Sequence, residues 1–360
     1  MKKHFPLLLT ALFSLLPLLA SATSIFDLLY QGGDDAARKV TLTVAMDSIL
    51  AKSPLDQTAT FQFTDAQGQV QNWDLKVSIR GKFRRNRCEF APLKFNFSKK
   101  DLKAAGLTNF DKYKLVTPCT DDAQAEGLIT KEYLAYRAYN LLSPYSFRVQ
   151  LLEITYVDAN GRHPKRTETA FLIEDIDELA ARHNAEEVEN ALGLPAEAYD
   201  PTAEATHALF QYLVGNGDWS LPLSRNLKVL RLPNGKLAPV GYDFDFTGWV
   251  GAPYASPTLE VGQTSIYERV YLGYLQDDLL MREVATSFRE QRKEVLSLIN
   301  RARLDEVEKE VLWRFASRFF NTINRMNNDG SVLLYDQLRG TTAGIIPPGA
   351  AADSYQSLGK

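Results

Sequence analysis

The alternation of apolar and polar positions predicts a strand-rich first half. Val40, Leu42 and Val44 alternate with small or polar residues, which is typical of a half-buried strand. Segments 58–64 and 71–80 flank the turn sequence Asp65-Ala66-Gln67-Gly68 and predict a hairpin. The same patterns predict further strands at 93–97, 113–117, 148–157 and 167–174, and one helix at 128–142.

From Ile176 onward the periodicity is mainly helical. It predicts helices at 176–192, 202–215, 278–300 and 302–326, and a small hairpin formed by 227–232 and 237–245. The predicted fold is α+β and two-lobed, with a β-rich N-terminal lobe (23–175) carrying one inserted helix and a mainly helical C-terminal lobe (176–339). A cleft between the lobes is the expected ligand site.

The two ends of the chain are set apart from this fold. Residues 1–22 combine a positive head, an apolar run and the small-residue segment Ala20-Ser21-Ala22, which is typical of a cleaved secretory signal. The apolar run is short for a membrane span. The tail 340–360 has little apolar bulk and is predicted to be disordered. We therefore expect a periplasmic or extracellular protein that does not span the membrane after cleavage.

Composition narrows the class of protein. Of 360 residues, 45% are hydrophobic and 24% are charged, and the formal net charge is −3. These fractions are typical of a globular chain. The mild acidity argues against a general nucleic-acid binder.

The chain has two cysteines, Cys88 and Cys119. In an exported chain such a pair predicts a disulfide, and the alternative is two buried free thiols. With four histidines and no His-Cys cluster, the sequence argues against a structural zinc site. His163, His183 and His207 lie far apart and are expected at the surface or in packing.

Polar residues concentrate around the predicted small hairpin. Asp218 follows an amphipathic helix, Asn226 opens the first strand, and Asp243 and Asp245 close the second strand two residues apart, so they share one face. Carboxylate and amide oxygens suit Mg²⁺ or Mn²⁺ bound with phosphates, which makes Asn226, Asp243 and Asp245 candidate metal ligands. Asp218 is the candidate catalytic residue, to orient a nucleophile or accept its proton. Alternatively, Asp218 caps a turn and the two aspartates are solvated.

The N-terminal half carries a basic run, which holds five cations in the eight residues 80–87. Arg80, Lys82 and Arg84 are candidate contacts to a phosphate or polyanion, and a solvated charge run is the alternative. Lys94 is a lone cation in an apolar strand and lies either on an exposed face or in a cleft. Glu132, on the following helix, is its candidate partner.

Three common catalytic sequence motifs are absent. The sequence contains no Gly-x-x-x-x-Gly-Lys-Ser/Thr, no Gly-x-Ser-x-Gly and no His-Glu-x-x-His, which argues against a P-loop, a hydrolase elbow and a zincin site.

Four stretches in order resemble the spore-coat-protein-H kinase-like family of exported proteins. They are Arg80-Gly81 with the basic run and Lys94, the helix segment 131–137, the strand end 171–175, and Asn216-Gly217-Asp218-Trp219 through Asn226 to Tyr242-Asp243-Phe244-Asp245. Together they cover about residues 75–250.

The resemblance implies a protein-kinase-like fold with Mg²⁺ or Mn²⁺ and ATP as cofactors. It would make Lys94 the phosphate-contacting lysine and Glu132 its helix partner, and would place Glu174 and Asp175 at the hinge between the lobes. Asp218 would be the catalytic-loop aspartate, and Asn226 with Asp243 would hold the metal.

Three functions are compatible with these features. The first is an exported kinase-like phosphotransferase that acts on an envelope protein or glycan. The second is a non-catalytic envelope module, or pseudokinase, that contacts an anionic ligand through the basic run, because no Gly-rich phosphate loop is visible. The third is another metal-dependent phosphoester enzyme that uses Asp243 and Asp245.

Overall fold

The computed structural model describes residues 23–30, 32, 36–120 and 124–340. The side chains of Lys82, Phe83 and Arg87 are not part of the description. The predicted signal at 1–22 lies outside the described residues, and so does the predicted disordered tail apart from Gly340.

Seven strands of the N-terminal half form a closed barrel in the order β1-β2-β3-β4-β5-β7-β6. Neighbouring strands are antiparallel, except that β1 and β6 pair in parallel and close the barrel. The strands are β1 (Arg38–Val44), β2 (Gln57–Thr64), β3 (Val70–Ile79), β4 (Leu93–Phe97), β5 (Lys112–Val116), β6 (Val149–Asp158) and β7 (Arg166–Ile173).

This closed barrel corrects the expected fold. The prediction of an α+β, two-lobed, protein-kinase-like fold is wrong, because the chain forms a closed seven-stranded mixed barrel, a second small sheet and helices. Alternation along each strand gives the same pattern in an open sheet and in a barrel. Closure depends on the β1–β6 pairing, which joins residues more than a hundred positions apart.

The barrel interior is filled by the inward-facing residues of each strand. Phe61, Val77 and Phe95 are fully buried there, and the rings of Phe61 and Phe95 lie 5.2 Å apart between centroids. Polar residues at alternate positions face outward. The predicted hairpin of 58–64 and 71–80 is confirmed by the β2–β3 pairing, and β6 pairs with β7 in the same antiparallel way.

Helices lie around and between the strands. They are α1 (Ile25–Leu29), α2 (Met46–Leu50), α3 (Lys82–Arg87), α4 (Lys99–Ala104) and α5 (Ala125–Leu142). The basic run, for which no regular element is predicted, forms α3. The predicted disulfide between Cys88 and Cys119 is confirmed, and it joins the end of α3 to the segment that leads to α5.

The C-terminal half is mainly helical. It comprises α6 (Ile176–Arg182), β8 (Glu186–Glu187), α7 (Pro201–Val214), β9 (Leu227–Arg231), β10 (Leu237–Gly241), α8 (Asp278–Glu290), α9 (Arg292–Arg301), α10 (Glu306–Asn328) and α11 (Leu334–Gly340). Strands β10, β9 and β8 form the second sheet. The helix expected at 176–192 ends at Arg182, and the one expected at 278–300 is divided at Gln291.

Helix α5 lies between the barrel and the small sheet. Its Tyr136 contacts Phe171 of β7 on one side and Phe244, after β10, on the other. The end of the β9–β10 hairpin therefore faces the barrel wall across α5. Within the described part of the chain, no helix is both long and apolar enough to cross a membrane.

Candidate functional site

Three carboxylates converge where α5 meets the segment after β10. Oxygen atoms of Glu132, Asp243 and Asp245 all lie within 4.8 Å of one another. Glu132 and Asp245 are buried, whereas Asp243 is partly exposed. Burial and the neighbouring aspartates raise the pKa of Glu132, although Arg84 lowers it. The group therefore concentrates negative charge that only a cation or protons can balance.

Arg84 of α3 supplies an internal cation to this group. Its Nη2 lies 2.8 Å from Oε2 of Glu132 and 2.8 Å from Oδ2 of Asp245. Its Nε donates to the same Asp245 oxygen at 3.0 Å. The Arg84 side chain is 9% exposed, so these ion pairs are shielded from water. The guanidinium thus engages two of the three carboxylates.

Asp243 is the third carboxylate, and it differs from the other two. Its backbone has φ of 66°, a left-handed conformation in which Asp is enriched among non-glycine residues. Its N–H donates to the Tyr136 hydroxyl at 3.0 Å. No described residue donates a hydrogen bond to its carboxylate, and burial followed by the Asp245 charge raises its pKa. Asp243 therefore has both carboxylate oxygens available to a ligand.

Two lysines share the outer face of the barrel, and one of them, Lys114, lies close enough to Asp243 for their charges to interact. Lys114 of β5 is in register with Lys94 of β4, so both side chains are on the same face. The Lys114 Nζ lies 4.6 Å from the centroid of the Tyr242 ring. Burial, and then the charges of Arg80 and Lys228, lower the pKa of Lys114 to about 8. Lys114 forms no ion pair with any residue that the structure describes, so it is available to an anion.

Asp218 and Asn226 form a second polar pair beside the hairpin. Asn226 Nδ2 donates to the backbone oxygen of Asp218 at 2.6 Å and to its Oδ2 at 2.9 Å. Arg225 contacts Asp218 Oδ1 at 3.2 Å. The N–H of Tyr242 donates to the Asn226 carbonyl at 3.1 Å, which brings Asn226 next to the residue before Asp243. Asp218 and Asn226 are not members of the three-carboxylate group.

A chain of buried hydrogen bonds fixes the backbone at Asp218. Tyr139 contacts Nδ1 of His207 at 2.7 Å, and Gln211 contacts Nε2 of His207 at 3.3 Å. Asn216 donates to Gln211 at 2.9 Å and accepts from the Asp218 N–H at 2.8 Å. Burial lowers the pKa of His207 to about 3, so this histidine is neutral and structural.

Glu132, Lys94 and Glu174 do not have the partners or the position expected from the sequence, which were a Lys94–Glu132 pair and a hinge at Glu174. Glu132 pairs with Arg84, and Lys94 forms no ion pair among the described residues. Glu174, at the end of β7, is fully enclosed and accepts from Arg148 at 2.8 Å and Arg182 at 2.7 Å. Its bonds join β7 to β6 and α6, so it has a structural role. The side chain of the predicted phosphate contact Lys82 is outside the description.

Sequence reasoning missed two residues of the site. Lys114 could have been found, because alternation in the predicted strand 113–117 places it on the same face that carries Lys94. Tyr254 could not, because it lies in an irregular segment without periodicity. Its hydroxyl hydrogen-bonds Asp245, and burial raises its pKa.

No protein-family model and no curated protein matches this chain.

Proposed function

We propose that this protein is an exported phosphotransferase that uses a divalent cation and a nucleotide, with an envelope protein or glycan as acceptor. The observation that carries the proposal is the Asp243 carboxylate, which lies beside two further carboxylates and accepts no hydrogen bond from a described residue. It faces Lys114, which has no ion pair among the described residues. Carboxylates next to cations are the combination that a metal–phosphate complex requires.

The carboxylates of the site can be compared with the ligands of Mg²⁺ or Mn²⁺, the metals that the resemblance implies. Mg²⁺ binds proteins through one or two carboxylates and completes its shell with water and phosphate oxygens. Asp243 offers two free oxygens, and Glu132 and Asp245 lie within reach although each is bonded to Arg84. The residues therefore fit Mg²⁺ or Mn²⁺, held mainly by Asp243. Such an ion, when bound, would neutralise charge on the transferred phosphoryl group.

The other residues of the site would act on the ligands directly. Lys114 and Arg80 would bind phosphate oxygens from the barrel side, because their positive charges face Asp243. Asp218 would orient the acceptor hydroxyl, since its side chain is 35% exposed and its backbone is fixed by Asn216. Catalysis in such a site rests on positioning and on electrostatic stabilisation.

Thermal unfolding with ATP and Mn²⁺, together with phosphate transfer to an envelope extract, tests this function. The unfolding temperature is expected to rise only when both ligands are present. Asp243→Asn should abolish that rise, and Asp218→Asn should retain it but lose transfer. The exposed Asp56→Asn is the matched control and should behave as the parent chain does. Absence of a metal-dependent rise in the parent chain would refute the proposal.

A non-catalytic module that binds an anionic ligand is the second candidate. The specific observation in its favour is Arg84, which already neutralises Glu132 and Asp245 as a metal would. The ligand would then contact Arg80 and Lys114. This function predicts anionic-glycan binding that needs no metal, survives Asp218→Asn and is lost in Lys114→Ala.

Export is supported by the disulfide, since such bonds persist in oxidising compartments. The predicted signal at 1–22 agrees with the periplasm or the extracellular space as the destination.

A further inference from the structure

A groove lies on the opposite side of α5 from the three carboxylates. Lys131, the neighbour of Glu132, points to this other side and pairs with Glu308 of α10 at 3.1 Å. The cavity has a volume of about 390 Å³ and lies between α10 and the segments around 249 and 267. That volume is at the lower end of the range for small-molecule sites.

The groove has a buried apolar floor and an apolar wall that is open to solvent. Trp249 and Phe315 form the floor, and Val307, Val311 and Tyr267 form the wall. Val307 is 74% exposed, Val311 58% and Tyr267 54%. Large apolar side chains exposed together in a concavity indicate a binding surface, whereas single exposed ones do not.

Two arginines that line the groove have no acidic partner among the described residues. Arg269 donates to the carbonyl oxygens of Leu213 at 3.2 Å and Phe315 at 2.7 Å, and its guanidinium stacks 3.9 Å from the Phe315 ring centroid. Burial, and secondarily the charge of Arg318, lowers the pKa of Arg269 to about 10. Neither Arg269 nor Arg318 forms an ion pair within the described ranges.

The other two cations of the groove are already neutralised. Arg314 pairs with Glu310 at 2.5 Å, and Lys131 pairs with Glu308. The uncompensated charge is therefore concentrated at Arg269 and Arg318. Arg269 is partly buried and Arg318 is exposed, so an anion that contacts both would offset their charges.

We propose that this groove binds a single-chain fatty acid, with its carboxylate on Arg269 and Arg318 and its acyl chain along Val307, Val311 and Trp249. The planar guanidinium donates two parallel hydrogen bonds to a carboxylate. The apolar wall continues along α10 from Arg318 through Val311 to Val307, at the spacing of one helix face. The modest volume favours one acyl chain over the two chains of a phospholipid.

Calorimetric titration of the purified protein with dodecanoate, below its micelle concentration, tests the site. We expect saturable binding with one site per chain, at least about tenfold weaker binding of dodecanol, and none of acetate. Equal affinity for dodecanol and dodecanoate would refute the role of the arginines. Unsaturable or undetectable dodecanoate binding would refute the site.

Two pairs of variants locate the ligand in the groove. Arg318→Ala is expected to weaken binding about tenfold, whereas Arg325→Ala, exposed on the same helix outside the groove, should leave it unchanged. Val311→Asp should prevent binding, whereas Leu279→Asp, an equally exposed apolar position on α8, should not. Both tested positions are exposed, so folding is expected to be retained, which thermal unfolding verifies. Unchanged affinity in Arg318→Ala and Val311→Asp would place the ligand elsewhere.

Discussion

At the scale of single residues, Arg84 determines how much of the negative charge of the carboxylate site is balanced within the protein. Its guanidinium contacts Glu132 and Asp245 in a place that water barely reaches. Buried ion pairs add little net stability compared with apolar packing, yet removing one partner leaves an uncompensated buried charge. The two ion pairs therefore couple the position of α3 to α5 and to the segment after β10.

Arg84→Ala is therefore expected to lower the free energy of unfolding by about 3–5 kcal/mol at pH 7. The loss should be smaller at pH 5. Burial raises the pKa values of Glu132 and Asp243, and the Arg84 charge opposes that rise. Without the guanidinium both pKa values lie further above those of the unfolded chain, so acid protonates the folded state preferentially. Urea unfolding at both pH values measures the effect.

Arg85→Ala is the control for this prediction. Among the described residues, the Arg85 side chain donates only to the Lys52 carbonyl, at 3.3 Å, so its removal should change the free energy of unfolding by less than about 1 kcal/mol. An Arg84→Ala loss as small as that of Arg85→Ala would contradict the structural role of Arg84.

At the scale of elements, α7 positions both the hairpin and the long irregular segment between β10 and α8. A Cβ added to Gly241 of β10 would lie 2.8 Å from Nε2 of Gln211, so the strand packs directly on the helix. On the same helix, the fully buried Glu204 accepts from the N–H of Tyr274 at 2.9 Å and from Gln276 at 2.8 Å. One helix thus fixes the two segments that border the site.

Glu204 gives this arrangement a pH dependence. Burial raises its pKa from 4.5 to about 7, against the hydrogen bonds that lower it. A raised acid pKa adds stability that is complete below pH 4.5 and is lost as the pH rises through 7. As the pH rises from 4.5 to 8, the free energy of unfolding of the parent chain should fall by about 3 kcal/mol from this group. Glu204→Gln does not titrate and should not show this fall.

Urea unfolding across that pH range measures the difference. The exposed Glu197→Gln is the matched control and should follow the pH profile of the parent chain. Parallel profiles for Glu204→Gln and the parent chain would show that folding does not raise the pKa of Glu204.

At the scale of the whole molecule, one covalent bond and one strand pairing hold distant parts together. The parallel β1–β6 pairing closes the barrel. The Cys88–Cys119 bond spans 31 positions and ties α3, which carries Arg84, to the segment before α5, which carries Glu132. The disulfide therefore fixes the two elements whose side chains form the central ion pair.

Replacing both cysteines by alanine should lower the free energy of unfolding by about 3 kcal/mol, because the unfolded chain regains the entropy of a free loop. Denaturant unfolding of the variant, and of the parent chain with and without a reductant, measures the loss. A reductant that destabilises the double variant as much as the parent chain would contradict the assignment of the effect to this bond.

Much of the local structure could be predicted from the sequence. The alternation in 58–64 and 71–80 and the turn residues between them determine a hairpin wherever it is placed. Asp243 and Asp245 are two residues apart, so their proximity to each other was also predictable. The strand expected to carry them is shorter than predicted, because β10 ends at Gly241. Arg84 as the partner of Glu132 was not, because α3 and α5 are separated by two strands and meet only after folding.

The sequence by itself determined the approximate positions of the seven barrel strands, the two cysteines that pair and the candidate acidic residues, because each depends on local periodicity or on residue chemistry. Only the tertiary structure decided that the strands close into a barrel, that Arg84 neutralises Glu132 and Asp245, and that Lys114 faces Asp243. These features depend on contacts between residues far apart in the chain, and side-chain period two is the same in an open and a closed sheet.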